Sequence, residues 1–370
     1  MKIAIDARAL LPPTTGIGTY TRGISRALAA RSGCEVCLFS PRPLPPQDGV
    51  GPIPVSADRH PLGMLWVQTT LARRARGWGA EVLLAALTIG PVRGSLPFVS
   101  VVHDLTPLTH PEWHKARTLA GFAPLWDWTA ERAARLICVS RATARELAAV
   151  YPETRSRVRV VPNGVDADFT PSGGGADPEE TRRRFAAGGR YILYLGTLEP
   201  RKNVATLVEA CDRLWRRRPG APHLVLAGGA GWKGSALRDR IAASPFRDRI
   251  HQPGYAERET ARDLYRAADV FVYPSLAEGF GLPVLEAMAC ATPVVTSTAE
   301  ALREVAGDAA LFAEPRDVSG LSRQIERVLE DPELASRMSA AGPPRAARFS
   351  WEAAAEATAA ILAEAAGESA

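Results

Sequence analysis

Apolar, β-prone runs of three to five residues alternate with helix-prone segments along this whole chain, and that alternation leaves few folds open. A strand followed by a helix and another strand closes into parallel sheet with helices on its faces. In the first half the strand-like runs are Ile3–Ala7, Val36–Ser40, Val82–Ala85, Phe98–Val102, Leu136–Ser140 and Val158–Pro162. In the second half they are Tyr191–Leu195, His223–Ala227, Val270–Tyr273, Pro293–Thr296 and Ala310–Phe312, with helices such as Val204–Arg217 and Glu257–Ala268 between them. A chain of 370 residues is too long for one ordinary core, so two α/β domains are expected. The glycine-rich stretch Pro171–Pro178 reads as the linker. It leaves an N-terminal domain over 1–172 and a C-terminal domain over 186–348. Clefts between facing domains commonly hold ligands. Ser350 reads as the N-cap of an alanine-rich helix over about 351–370, which lies beyond the last strand and is free to cross back to the first domain.

Hydrophobic residues make up 46% and charged residues 23%, as in a soluble globular protein. No cleavable signal or membrane-length apolar stretch is evident, so the expected site of action is cytoplasmic. The net charge of +5 suits an anionic ligand or an anionic membrane surface. No nucleic-acid motif accompanies the arginine clusters at 73–76 and 216–218, so nucleic acid is not an expected partner. The five cysteines read as reduced structural thiols, because the lone Cys34-x-x-Cys37 has no second pair to complete a zinc site.

The stretch from Glu278 to Glu286 carries most of the chemistry. It follows the strand Val270–Tyr273, turns on Gly279 and Gly281, and enters a helix at Leu282-Pro283. A strand, a glycine turn and a helix start place backbone N–H groups at the C-terminal edge of a sheet, where α/β folds bind phosphate. Two carboxylates beside such N–H groups match a sugar nucleotide, whose diphosphate lies between two polyhydroxyl rings. Arg201 and Lys202 sit on the corresponding turn after Tyr191–Leu195. Arginine grips phosphate oxygens bidentately and lysine supplies a compact charge, and both stabilise a diphosphate that gains charge as it departs. At the N-terminus Gly16 and Gly18 open a helix after the first strand; they either let a ligand approach or simply start the helix. His103 ends the strand Phe98–Val102, where it would bind a sugar hydroxyl, shuttle a proton or be structural. Asp166-x-Asp168 has the spacing of a cation site but reads as a turn near the domain boundary, and His110 and His114 lack further ligands, so no metal is expected. No nucleophile elbow, P-loop or zincin helix is present.

With these motifs the chain resembles the family 4 glycosyltransferases over nearly its whole length. The family's two spaced glutamates correspond to Glu278 and Glu286, its Arg-Lys pair to Arg201 and Lys202, its glycine loop to Gly16 and Gly18, and its histidine to His103; Val161–Asp166 matches its junction segment. The resemblance implies the GT-B fold: two facing Rossmann-like domains with parallel sheets and a C-terminal helix that returns to the first. It implies a retaining, metal-independent transferase with no cofactor beyond the nucleotide sugar. Glu278 would then contact the donor sugar and Glu286 the ribose. The N–H groups of Phe280, Gly281 and Leu282 would hold the distal phosphate, and Tyr255 and Ala256 would flank the base. Within the family, residues 101–114 and 196–203 are most similar to bacterial mannosyltransferases that use GDP-mannose.

Other readings are a UDP- or dTDP-sugar donor, a sugar-nucleotide epimerase on the same fold, and a non-catalytic sugar-nucleotide-binding protein. The acceptor, a glycan or a lipid-linked glycan, leaves no code in the sequence. Trp113, Trp126 and Trp128, with Lys115, Arg117 and Arg132 nearby, would suit peripheral contact with the inner membrane surface, or would be core aromatics beside solvated cations.

Overall fold

The computed structural model describes residues 1–12, 14–44, 53–60, 62–232 and 234–367, so the last three positions of the expected C-terminal helix lie outside it. The first sheet contains β1 (Lys2–Asp6), β2 (Glu35–Ser40), β3 (Val55–Ala57), β4 (Val82–Ala85), β5 (Phe98–Val102), β6 (Arg135–Cys138) and β7 (Val158–Val160), in the order β3-β2-β1-β4-β5-β6-β7. The second contains β8 (Tyr191–Leu195), β9 (His223–Ala227), β10 (Ile250–Gly254), β11 (Val270–Tyr273), β12 (Val294–Ser297) and β13 (Ala310–Ala313), in the order β10-β9-β8-β11-β12-β13. Every pairing is parallel; Ile5 lies between Leu38 and Leu84, and Phe271 between Leu193 and Val294. Every residue of β4, β5, β11 and β12 is buried, as a sheet with helices on both faces requires.

The chain divides into two compact units of Rossmann-like design. The first is Met1–Gly164 with the segment from Phe349 onward, and the second is Val165–Arg348. The division falls ahead of the glycine-rich stretch expected as the linker. Arg266 on helix Arg258–Ala267 donates from Nε to the Thr170 carbonyl at 2.7 Å and from Nη1 to the Gly174 carbonyl at 2.9 Å. The carbonyls of that irregular stretch are thereby satisfied within the second unit.

Helix Trp351–Gly367 packs on helix Gly16–Ala29 and against β4 and β5 of the first unit. Ser350 starts it, its Oγ accepting from the Ala353 N–H at 3.1 Å. Trp126 is fully buried in the first unit's core and cannot meet a membrane, whereas Trp128 is half exposed. Cys37, Cys138, Cys211 and Cys290 are buried thiols, and Cys34 is partly exposed. No helix among the described residues is long and apolar enough to cross a membrane.

Candidate active site

In the second sheet the chain runs β8, β9, β10 in one direction, then returns to place β11 on the other side of β8. The loops after β8 and β11 therefore leave side by side at the point where strand order reverses, the usual ligand position in an open parallel sheet. The loop after β8 carries Arg201 and Lys202, and the loop after β11 carries Glu278. Asn203 joins the two loops. It takes the left-handed conformation (φ 58°) that asparagine tolerates, and its Nδ2 donates to the Pro274 carbonyl at 3.0 Å. The Leu276 N–H donates to the Arg201 carbonyl at 2.9 Å.

So placed, the charged side chains form one buried network. Lys202 Nζ donates to Glu278 Oε1 at 2.7 Å and to the Tyr273 hydroxyl at 2.8 Å. Arg201 Nη1 donates to Glu278 Oε2 at 2.9 Å and to the Ala277 carbonyl at 3.0 Å, while Nη2 donates to Glu199 Oε1 at 3.0 Å. The Glu278 side chain is only 7% exposed. Burial alone would raise its pKa, but the charges of Arg201 and Lys202 outweigh burial and hold it down at about 2. Burial raises the pKa of Glu199 against the pull of the same two cations. Burial, then the Arg201 charge, lowers that of Lys202 against the pull of Glu278 and Glu199. The sequence pointed to Arg201, Lys202 and Glu278 as separate motifs; their direct bonding, and the parts played by Glu199 and Tyr273, emerge only from the fold. A tyrosine as the last residue of β11, next to the turn, was the available signal for Tyr273.

Glu286 stands apart from this network. It lies in the second turn of helix Leu282–Ala289 and accepts from the Tyr265 hydroxyl at 3.0 Å. Burial drives its pKa up to about 8; the Tyr265 bond opposes the rise and the charge of Asp166 adds to it. At neutral pH it is a neutral carboxyl that can donate as well as accept, a departure from the carboxylate expected from sequence. Gly281, at the N-cap of the helix, has φ 111°, and a Cβ there would lie 2.5 Å from Leu302 Cδ2, so only glycine fits this turn. Pro283 follows within the first turn. Phe280, Gly281 and Leu282 are buried around the helix start. Tyr255 is half exposed just after β10, beside Ala256.

Asp166 and Asp168 share Arg258. Its Nη2 is 2.9 Å from Asp166 Oδ2 and also contacts Asp168 Oδ1. A guanidinium thus occupies the carboxylates that a D-x-D metal site would use, and no cluster of three or more metal-ligating side chains occurs among the described residues.

In the first unit, His103 follows β5. Its Nε2 is 2.8 Å from the Ala86 carbonyl, which can only accept, so Nε2 carries the proton and Nδ1 is the acceptor. Burial lowers its pKa, against smaller opposing effects of that bond and of Asp104. His114 Nε2 is 3.0 Å from the Thr106 hydroxyl and His110 stacks on Trp113 at 4.0 Å, so both have structural partners. Gly16 is the first residue of helix Gly16–Ala29. Gly18 is buried; a Cβ there would lie 2.6 Å from the Ala9 carbonyl oxygen, so the group approaching it in this structure is the protein's own backbone. At the end of β1, fully buried Asp6 is gripped by Arg8, with Nη2 to Oδ2 at 2.6 Å and Nε to Oδ1 at 3.0 Å. The sequence reading passed over this pair, because two charges at the end of a strand carry no distinctive spacing.

Comparison with known proteins matches residues 14–169 to the family described as Glycosyltransferase Family 4 and residues 177–345 to Glycosyl transferases group 1. The O-antigen chain mannosyltransferase B of Escherichia coli is 30% identical over 370 residues, spanning 95% of this chain and 97% of that protein. A glycogen synthase of Mycobacterium tuberculosis is 29% identical over 390 residues, spanning 95% and 92%. Among solved structures, Anabaena HepE in complex with UDP-glucose superposes with a TM-score of 0.76 at 20% identity, covering 98% of this chain and 99% of that one.

Proposed function

This chain belongs to the family 4 glycosyltransferases, enzymes of the GT-B fold, and from that premise we propose that it is a retaining, metal-independent mannosyltransferase acting from GDP-mannose. The acceptor is a hydroxyl of a glycan or lipid-linked glycan, reached in the cytoplasm at the inner membrane surface. The observation that carries the reading is the buried set Arg201–Lys202–Glu278 at the strand-order reversal. Two of the three ammonium protons of Lys202 are engaged by Glu278 and Tyr273, and the third suits a phosphate oxygen. Arg201 and Lys202 offset the charge that grows on the diphosphate as the glycosidic bond breaks. Both Glu278 oxygens are held by cations, and a carboxyl with a pKa of about 2 is a poor nucleophile and a poor base. Glu278 therefore positions the donor sugar and stabilises charge. The departing diphosphate is the base the reaction itself supplies for the acceptor proton.

The remaining roles follow the family pattern. His103 Nδ1 accepts from a sugar hydroxyl, and Gly16 and Gly18 shape the first unit's contribution. Glu286 bonds the ribose hydroxyls. The N–H groups of Phe280, Gly281 and Leu282 meet the distal phosphate, and Tyr255 and Ala256 flank the base. The guanidinium shared by Asp166 and Asp168 supports a metal-free site. The mannosyl assignment draws on the 30% identity with the O-antigen mannosyltransferase, and HepE with UDP-glucose keeps a UDP-sugar as the competing donor. A thermal-shift panel at equal nucleotide concentration separates them. GDP and GDP-mannose at 100 times Kd stabilise the protein by about 2.7 kcal/mol. Stabilisation by UDP or dTDP compounds alone removes the mannosyl donor and leaves glycosyl transfer intact.

A further inference from the structure

His103 is fixed at one atom by the bond from Nε2 to the Ala86 carbonyl. A single hydrogen bond leaves an imidazole free to rotate about that bond, and the direction of Nδ1 stays undefined. In this structure a second contact removes the freedom. The ring of Tyr20 meets the His103 ring with centroids 4.9 Å apart and planes at 80°. Tyr20 in turn meets the indole of Trp351, with centroids 5.9 Å apart and planes at 69°. Both aromatic residues are at most 2% exposed. The Tyr20 hydroxyl is buried and has no hydrogen-bond partner among the described residues, so the ring is what the contact uses.

The backing for Tyr20 is tight. One helical turn further on, a Cβ on Gly23 would lie 2.2 Å from Trp351 Cε2, so the indole occupies the space any other residue would fill. A Cβ on Gly164 would lie 2.3 Å from the Trp351 backbone nitrogen. Gly164 is where the chain leaves the first unit, and Phe349 is where it returns. Trp351 is thus wedged between helix Gly16–Ala29 and the end of the first segment, at the start of the C-terminal helix. A close-packed wedge transmits position because it has no space to shift into.

We propose that Tyr20 is a positioning residue for glycosyl transfer: held by Trp351, its ring sets the rotation of the His103 imidazole and hence the direction in which Nδ1 meets the donor sugar. The functional half of this inference rests on the role given to His103 above; the structural half does not.

The test uses Tyr20→Leu, Tyr20→Phe, Gly23→Ala, His103→Ala and, as a control for general loosening, Phe39→Leu in the same unit's core. The readouts are the imidazole nitrogen NMR signals of His103, one of six histidines, assigned by their loss in His103→Ala, together with kcat, KM and the Kd for GDP. Tyr20→Leu and Gly23→Ala should shift and broaden the His103 nitrogen signals as the ring samples several rotations, with the Nε2–H tautomer set by the Ala86 carbonyl retained. They should lower kcat by about tenfold to a hundredfold, with KM and the GDP Kd little changed. Tyr20→Phe should restore both signals and kcat, with a melting temperature equal to or above that of the parent. Phe39→Leu should lower the melting temperature and leave the His103 signals in place. Unmoved His103 signals in Tyr20→Leu, or equal movement in Phe39→Leu, overturn the positioning role. If His103→Ala turns over normally, the role of His103 fails instead, and the NMR arm still decides whether Tyr20 orients the ring.

Discussion

Glu278→Gln keeps the size of the side chain and removes its charge, leaving Arg201 and Lys202 close together below the surface. The cost can be worked from the structure in two ways. The drop in the carboxyl pKa from 4.5 to about 2, at about 1.4 kcal/mol per pH unit, corresponds to about 3 kcal/mol. Removing one partner of a buried ion pair costs about 3–5 kcal/mol, because it strands the other charge. The lower figure is the better expectation, since Lys202, its pKa already lowered by burial and Arg201, can shed its proton. The sign follows from linkage. A depressed carboxylate contributes stability that is full above the unfolded value of 4.5 and is lost as pH falls through about 2. Urea denaturation, followed through the second unit's transition, should therefore show the variant about 3 kcal/mol less stable at pH 7. The gap should narrow below pH 4.5 and vanish near pH 2. Turnover should fall further than GDP affinity, because Arg201 keeps its charge and still binds phosphate. A gap below about 1 kcal/mol at pH 7, the range of an exposed pair, or one that persists unchanged at pH 3, would refute the ion-network account.

Three other outcomes are expected. Lys202→Ala should lower kcat/KM by about a hundredfold, as removal of a preplaced charge does; steady-state kinetics near those of the parent would take the diphosphate away from this lysine. Glu286 holds its proton to about pH 8 when folded but only to 4.5 when unfolded, so its contribution turns unfavourable as pH rises across that interval. Glu286→Gln should then be more stable than the parent by about 4–5 kcal/mol at pH 9, from the difference between 4.5 and about 8 at about 1.4 kcal/mol per pH unit, and equal to it near pH 4, by denaturant titration; a loss of stability at pH 9 would contradict the raised pKa. Finally, activity should survive excess EDTA, and a strict Mg²⁺ or Mn²⁺ requirement would return attention to Asp166 and Asp168.

The parallel α/β design was legible because strands covered on both faces print unbroken apolar runs, such as Val270–Tyr273. The strands that sequence reasoning missed are the edges β3 (Val55–Ala57) and β10 (Ile250–Gly254). Apart from Ile250 these two are exposed or half-buried, and β10 contains Pro253, so neither leaves such a run. The linker was misplaced for a similar reason. Composition marked 171–178 as irregular, but only the fold showed Arg266 tying its carbonyls to the second unit. The site motifs could be read from residue type and spacing: a cation pair on one strand-to-helix turn and glutamates on another. Their bonding could not, because Lys202 and Glu278 stand 76 residues apart and meet only through the adjacency of β8 and β11. The two glutamates make the distinction plainest. Sequence presents them as equal carboxylates on one short stretch. The fold surrounds Glu278 with two cations and sets Glu286 beside Tyr265 and near Asp166, so one stays ionised down to about pH 2 and the other keeps its proton to about pH 8. Charge state depends on what lies within a few ångströms in space, and chain order alone does not carry that information.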